Sequence, residues 1–291
     1  MDVIIDYKKL GNVMFKDKKV WLADMDGTLT PHRQPIRESM IYAIKSLLDL
    51  TDQHLAIVSG SDFDYIKEQV LDYFADNEHF EGIREKIFVL PCNGTKVYQF
   101  VDDEWKKVYE VNIDDLFTHD LINSFFLDIM KLQEEFIRKH KPNYVLQPPF
   151  IEFRGSLINW CLAGRKADQV IRKAFASADH EHNIRAEFVE ILKAKFEEIR
   201  KKEGRTFTAR MGGQTSIDIY PEGWDKLFAL KHFDPAKCRF VGDSCYGDGN
   251  DQPLFSYFIE KGSAWCVNNP VQTEEIFRDF ILSHSKFNKV P

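Results

Sequence analysis

The string Asp24-Met25-Asp26-Gly27-Thr28-Leu29-Thr30 is the sharpest chemical feature of the chain. Two carboxylates stand two residues apart, just past a short apolar run that begins at Lys19. Once the chain leaves regular strand geometry, both can point into one pocket. Their combined negative charge needs a cation, and hard oxygen ligands suit Mg²⁺. With a cation neutralising an incoming phosphate, one carboxylate can attack phosphorus, while the other passes a proton to or from the bridging oxygen. Gly27 permits close backbone approach, and Thr28 can donate to a phosphate oxygen. An acidic turn is the plain alternative for any Asp-x-Asp; the full string in this strand context argues against it.

Elements must position these groups. Lys19 to Asp24 has the profile of a buried parallel strand emptying into a loop, and His54–Val58, Lys86–Leu90 and Arg239–Asp243 repeat it. Ile36 to Leu50 carries Met40, Ile41, Ile44, Leu47 and Leu48 at a helical period. Ser61 or Asp62 can cap a helix after the second strand. Strands alternating with helices, each closing on polar residues and glycine, predict an α/β fold with a doubly wound parallel, Rossmann-like core and a site at the strand carboxyl ends. The middle reads differently. It is helical over 114–141, strand–turn–strand over 150–163 around Gly155-Ser156, and helical over 167–175 and 184–202. A further hairpin spans 206–220 around Gly212-Gly213. This predicts an inserted α+β cap over 114–218, with 1–113 and 219–291 forming the core. His180 and His182, near Asp179, read as a solvated loop.

Composition bounds the function. The 291 residues are 44% apolar, enough for a sizeable core, and 39 basic against 46 acidic side chains leave a net charge of −7. That balance argues against wholesale binding of nucleic acid or an acidic membrane. No apolar run approaches the roughly 18–20 residues that span a bilayer, and the opening residues 1–9 lack the pattern of a signal peptide. Five cysteines (Cys92, Cys161, Cys238, Cys245 and Cys266) with no CxxC spacing read as free thiols of a reducing, cytoplasmic compartment.

The string at Asp24 resembles the nucleophile signature of the haloacid dehalogenase superfamily of phosphotransferases. Further segments follow in the order found in eukaryotic-type phosphomannomutases: Gly60-Ser61-Asp62-Phe63, Phe150-Ile151-Glu152-Phe153-Arg154, Gly164-Arg165, Gly212 to Asp218, Gly223-Trp224-Asp225-Lys226, and Gly242-Asp243 with Gly249-Asn250-Asp251. The resemblance covers roughly residues 18–282. It implies the superfamily core with an inserted cap, and an aspartyl-phosphate formed at Asp24 with Asp26 as acid and base. Ser59 or Ser61 would meet the phosphoryl oxygens, and Lys226 would hold Asp24 and the phosphate. It places Mg²⁺ on Asp24, on Asp243 and on Asp26 through its backbone carbonyl, supported by Asn250 and Asp251. Arg33, Arg154, Arg165 and Arg172 fall on its substrate-binding arginines, and Ser216 and Asp218 on its sugar contacts. Forked guanidinium donors suit the distal phosphate of a hexose bisphosphate.

The implied activity is interconversion of hexose 1-phosphate and hexose 6-phosphate with a hexose 1,6-bisphosphate activator. The implied partners are sugar phosphates and a second copy of the chain, paired through the cap. The alternative within the fold is a sugar-phosphate phosphatase, in which water rather than a sugar hydroxyl reaches the phosphoaspartate. Departures at four motifs, together with a longer chain between 114 and 149, bear on that choice and on sugar specificity. Ser59-Gly60-Ser61 stands where the pattern has Gly-Gly-Ser, and Pro91-Cys92-Asn93-Gly94 lacks a carboxylate. Gly155-Ser156-Leu157 replaces Asn-Gly-Met, and Tyr246-Gly247-Asp248 replaces Met-Pro-Gly.

Overall fold

A computed structural model describes residues 14–50, 52–75, 80 and 82–287; the opening stretch read for a leader, 1–9, lies outside them. The fold is mixed α/β. The chain divides into two compact units, one of Met1–Glu110, Gly223–Gly247 and Asp251–Pro291, the other of Val111–Glu222 and Asp248–Asn250.

The first unit begins with β1 (Lys19–Ala23), α1 (Glu38–Leu48), β2 (Gln53–Val58), α2 (Phe63–Gln69), β3 (Ile87–Leu90), β4 (Lys96–Val101) and β5 (Glu104–Glu110). In the second unit follow α3 (His119–His140), β6 (Ile151–Phe153), β7 (Ile158–Cys161), α4 (Gln169–His182), α5 (Ile184–Glu203), β8 (Phe207–Gly212) and β9 (Ser216–Pro221). The chain then returns to the first unit with β10 (Cys238–Gly242), α6 (Gln252–Ile259), β11 (Ala264–Cys266) and α7 (Pro270–Phe287).

In the first unit the strand order is β11-β10-β1-β2-β3-β4-β5. The first five strands run parallel, as expected, and β4–β5 is an antiparallel hairpin added at the edge. Strand β1 shows why the parallel part is so apolar. Trp21 and Ala23 enter one core cluster while Val20 and Leu22 enter the other, so both faces are covered. The predicted helical period holds in α1, where Met40, Ile41, Ile44, Leu47 and Leu48 are buried.

The second unit is built on an antiparallel sheet of order β6-β7-β9-β8. Its register separates two rows of side chains. Ile151, Trp160, Ile217 and Met211 pair across the sheet on one face; Glu152, Asn159, Asp218 and Arg210 pair across the other. Trp160 is fully buried against Phe188 of α5 and donates its ring N–H to Gln133 Oε1 of α3 at 2.7 Å. His180 and His182 are not in a loop: they form the last turn of α4. The Asp168 side chain caps that helix, Phe175 and Asp179 continue its buried face, and only the left-handed Asn183 ends it. All five cysteines are free, and among the described residues no helix is long and apolar enough to cross a membrane.

Candidate active site

The carboxyl ends of three neighbouring parallel strands carry the first group of candidate residues. Asp24 follows β1, Ser59 follows β2 and Asp243 follows β10, and the Asp24 N–H donates to Val241 O at 3.0 Å. Gly27 takes a φ of +93°, and a Cβ there would stand 2.7 Å from the Asp243 carboxyl carbon and 2.8 Å from the His32 ring. Glycine is required for both reasons.

Lys226 enters this group from another direction. Asp225 caps a short 3₁₀ turn at Lys226–Lys231, accepting from the Leu227 N–H at 2.8 Å, and Phe228 and Leu230 anchor the turn by burial. Lys226 is 1% exposed; its ammonium donates to Asp24 Oδ1 and to Asp251 Oδ1, the latter at 2.6 Å. The other oxygen of Asp251 accepts from the backbone N–H of Asp243 at 3.1 Å and of Ser244 at 3.0 Å. Asp251 is thereby spent on holding Lys226 and the Asp243 loop.

The charges do not balance. Oxygens of Asp24, Asp243 and Asp251 lie within 4.8 Å of one another, facing one ammonium. Burial pushes the Asp24 carboxyl well above the usual range; Lys226 opposes the shift, and Asp251 and Asp243 reinforce it. Asp243 is pushed up to about 7, first by burial and then by the charge of Asp251. Burial alone would lower Lys226, but Asp24 and Asp251 together outweigh it and keep the amine protonated. Hard carboxylate oxygens carrying excess negative charge are a donor set that can hold a divalent cation. Asp26 is not part of this carboxylate group. Its Oδ1 accepts from the Arg33 N–H at 2.7 Å and from the Tyr65 hydroxyl at 3.2 Å.

Of the two serines, Ser59 is buried and its hydroxyl accepts from the Ser61 N–H at 3.1 Å. Thr28 Oγ1 is buried with no hydrogen-bond partner, an orphan polar atom one residue past Gly27.

The second unit gathers the other candidates. Arg154 donates through Nε to Glu152 Oε2 at 2.7 Å, and through Nη2 to the same oxygen. Arg165 Nη2 lies 3.3 Å from it, while Arg165 Nη1 donates to Asn159 Oδ1 at 3.3 Å. Asn159 in turn donates to Asp218 Oδ1 at 2.6 Å. Gly212 leaves room for that carboxylate: a Cβ there would meet the Asp218 carboxyl carbon at 2.6 Å. Ser216 is buried two residues away on β9. Arg172 is buried and donates to Ala167 O, Thr215 Oγ1 and Arg165 O at 2.9, 2.9 and 3.1 Å. This is the placement of a residue that holds the Arg165 loop in shape. Asn250 groups with the second unit rather than with Asp251.

Sequence reasoning missed Glu152, Asn159 and Tyr65. Glu152 stands two residues before Arg154, a strand period that puts both on one face and is visible in Phe-Ile-Glu-Phe-Arg. Asn159 acquires its meaning only from cross-strand register, and nothing local signals it.

Comparison with known proteins agrees with this geometry. A sequence model of the eukaryotic phosphomannomutase family matches residues 43–283. A Caenorhabditis elegans protein named "Probable phosphomannomutase" is 33% identical over 266 residues, covering 89% of this chain and 93% of the relative. Human phosphomannomutase 1 is 32% identical, covering 83% and 84%. Among solved structures, an N-terminally truncated IMP-nucleotidase of Plasmodium falciparum is similar in fold, with a TM-score of 0.56, 18% identity and coverage of 90% of this chain and 69% of that one. With the family model matching most of the chain and relatives of 30% identity or more covered over most of their length, the chain belongs to the eukaryotic phosphomannomutase family.

Proposed function

We propose that the chain moves a phosphoryl group between the 1- and 6-oxygens of a hexose, through an aspartyl-phosphate on Asp24, with a hexose 1,6-bisphosphate as activator. One observation carries the reading: Asp24 sits buried on a protonated lysine, within a carboxylate group whose excess charge calls for a cation. When bound by Asp24, Asp243 and the Asp26 carbonyl, Mg²⁺ supplies neutralisation of the phosphate charge. The remaining work belongs to side chains. An oxygen of Asp24 bonds to phosphorus as the bond to the sugar oxygen breaks. Asp26 protonates that oxygen and later takes the proton from the incoming hydroxyl. Lys226 fixes the nucleophile and counters charge on the transferring group. The orphan hydroxyl of Thr28, with Ser59 or Ser61, donates to the phosphoryl oxygens.

In this reading 1–113 and 219–291 are catalytic and 114–218 sets specificity. Arg33, Arg154 and Arg165 take the phosphate that is not reacting, Arg172 keeps Arg165 in place, and Ser216 and Asp218 meet sugar hydroxyls. Asn250 and Asp251 support the cation ligands. The protein acts in the cytoplasm as a homodimer paired through the cap. A phosphatase would use the same residues with water as acceptor. The Ser59 hydroxyl, whose extra oxygen favours that alternative, already serves as an acceptor in a local turn.

A phosphorus NMR time course with mannose 1-phosphate and glucose 1-phosphate tests the reading. Conversion to the 6-phosphate, stimulated by the 1,6-bisphosphate and absent in Asp24→Asn, is expected. Release of inorganic phosphate without the 6-phosphate would replace mutase by phosphatase.

A further inference from the structure

We propose that Tyr65 is a positioning residue for Asp26, selecting which oxygen of that carboxyl carries the proton; the inference rests on the phosphoryl-transfer reading above. The side chain of Asp62 caps α2 by accepting from the Tyr65 N–H at 2.9 Å, which fixes Tyr65 in the first helical turn. Its ring packs against the core of the first unit, and its hydroxyl reaches Asp26 Oδ1 at 3.2 Å. The backbone N–H of Arg33 donates to the same oxygen at 2.7 Å, from a residue held at φ +54°, a region sparsely used outside glycine. The Arg33 guanidinium lies 4.7 Å from the centroid of the Tyr65 ring, so one aromatic side chain is tied to both donors of the pair.

Two donors on Oδ1 have a chemical consequence. They occupy the lone pairs of Oδ1, so Oδ2 is the oxygen left to exchange a proton with substrate. They also arrest rotation of the carboxylate, so that Oδ2 stays aimed in one direction. When an oxygen of Asp24 bonds to phosphorus, the electron pair of the breaking P–O bond passes to the sugar oxygen, and that oxygen takes the proton from Asp26 Oδ2. Without the phenol, Oδ1 keeps only the Arg33 N–H. The carboxyl can then turn, and the proton is misdirected in a fraction of encounters. General acid catalysis is worth roughly 10²–10⁴-fold, and a misaligned acid forfeits part of that.

The test exploits leaving groups. A sugar alkoxide must be protonated as it departs, whereas 4-nitrophenolate leaves without a proton. Phosphorylation of Asp24 in the full chain with Mg²⁺ is followed by rapid quench with glucose 1,6-bisphosphate, and by the nitrophenolate burst with 4-nitrophenyl phosphate. Tyr65→Phe should slow the sugar reaction by about 10- to 30-fold, a slice of the acid's total contribution, and leave the burst within about twofold. In an Asp26→Asn background the same substitution should cost the sugar reaction nothing further. Equal slowing of both reactions would make Tyr65 a support of the fold or of Asp24, and no slowing of either would make its hydroxyl idle; each overturns the inference. Absence of phosphorylation by either donor in the unsubstituted protein would instead overturn the phosphoryl-transfer reading, and this inference with it.

Discussion

In the first unit two carboxylates, Asp24 and Asp251, hold one ammonium with Asp243 beside them; in the second, two guanidinium groups, Arg154 and Arg165, converge on one carboxylate of Glu152. The first has carboxylate oxygen in excess and suits a cation; the second pairs forked N–H donors with Glu152 and, through Asn159, with the Asp218 carboxylate. The supports differ as well. Lys226 and Asp251 are sealed in the interior behind strand ends, while Arg154 and Arg165 stand just past β6 and β7, Arg154 buried and Arg165 half-buried. A buried ion tolerates loss of its partner badly, because desolvation has already been spent and the remaining charge cannot reach water.

That contrast is sharpest at Lys226. Lys226→Met strands two buried carboxylates, and the expected loss is about 3–5 kcal/mol of unfolding free energy, measured by urea titration, with Mg²⁺ restoring part of it. A variant as stable as the parent would mean that the carboxylates find other relief, and the contrast would fail. In the second unit Arg172→Ala removes three hydrogen bonds made by a buried guanidinium. The expected loss is about 2–3 kcal/mol, read as a lower urea midpoint at unchanged slope. The weakest lever is the proton. Because Asp243 is held up to about 7 in the metal-free state, it is protonated below that pH and cannot ligate. Mg²⁺ affinity should then fall by about tenfold per pH unit as pH drops below 7. Calorimetric titration between pH 5.5 and 8 reads this directly, and a flat profile below 7 would contradict the raised pKa.

Much of the first unit was legible because its chemistry sits at strand ends. A buried parallel strand is a continuous apolar run, and a carboxylate ending one, as at Asp24 and Asp243, stands out against it. The hairpin β4–β5 escaped notice for the converse reason: Glu104-Trp-Lys-Lys-Val-Tyr-Glu110 is half exposed and alternates poorly, so no period announces it. His180 and His182 misled because two histidines and an Asp look loop-like, although Asp179 is buried and ion-paired with Arg185 at 2.7 Å. Glu152 and Asn159 were hidden more deeply. Their roles depend on which strand lies alongside which, information carried by register rather than by neighbours in sequence. Tyr65 was hidden likewise, since only the folded chain brings it to Asp26.

The Gly242-to-Asp243 and Ala23-to-Asp24 junctions leave adjacent parallel strands, which hydrogen bonding spaces at about 4.8 Å. The gap between the two carboxylates is thus ruled off by main chain, and ladder bonds act as the gauge. Substitutions elsewhere in the sheet, or on either covering layer, can alter how firmly the gauge is held without altering its divisions. A slip of one strand by a single residue, by contrast, would leave every side chain present and the spacing lost.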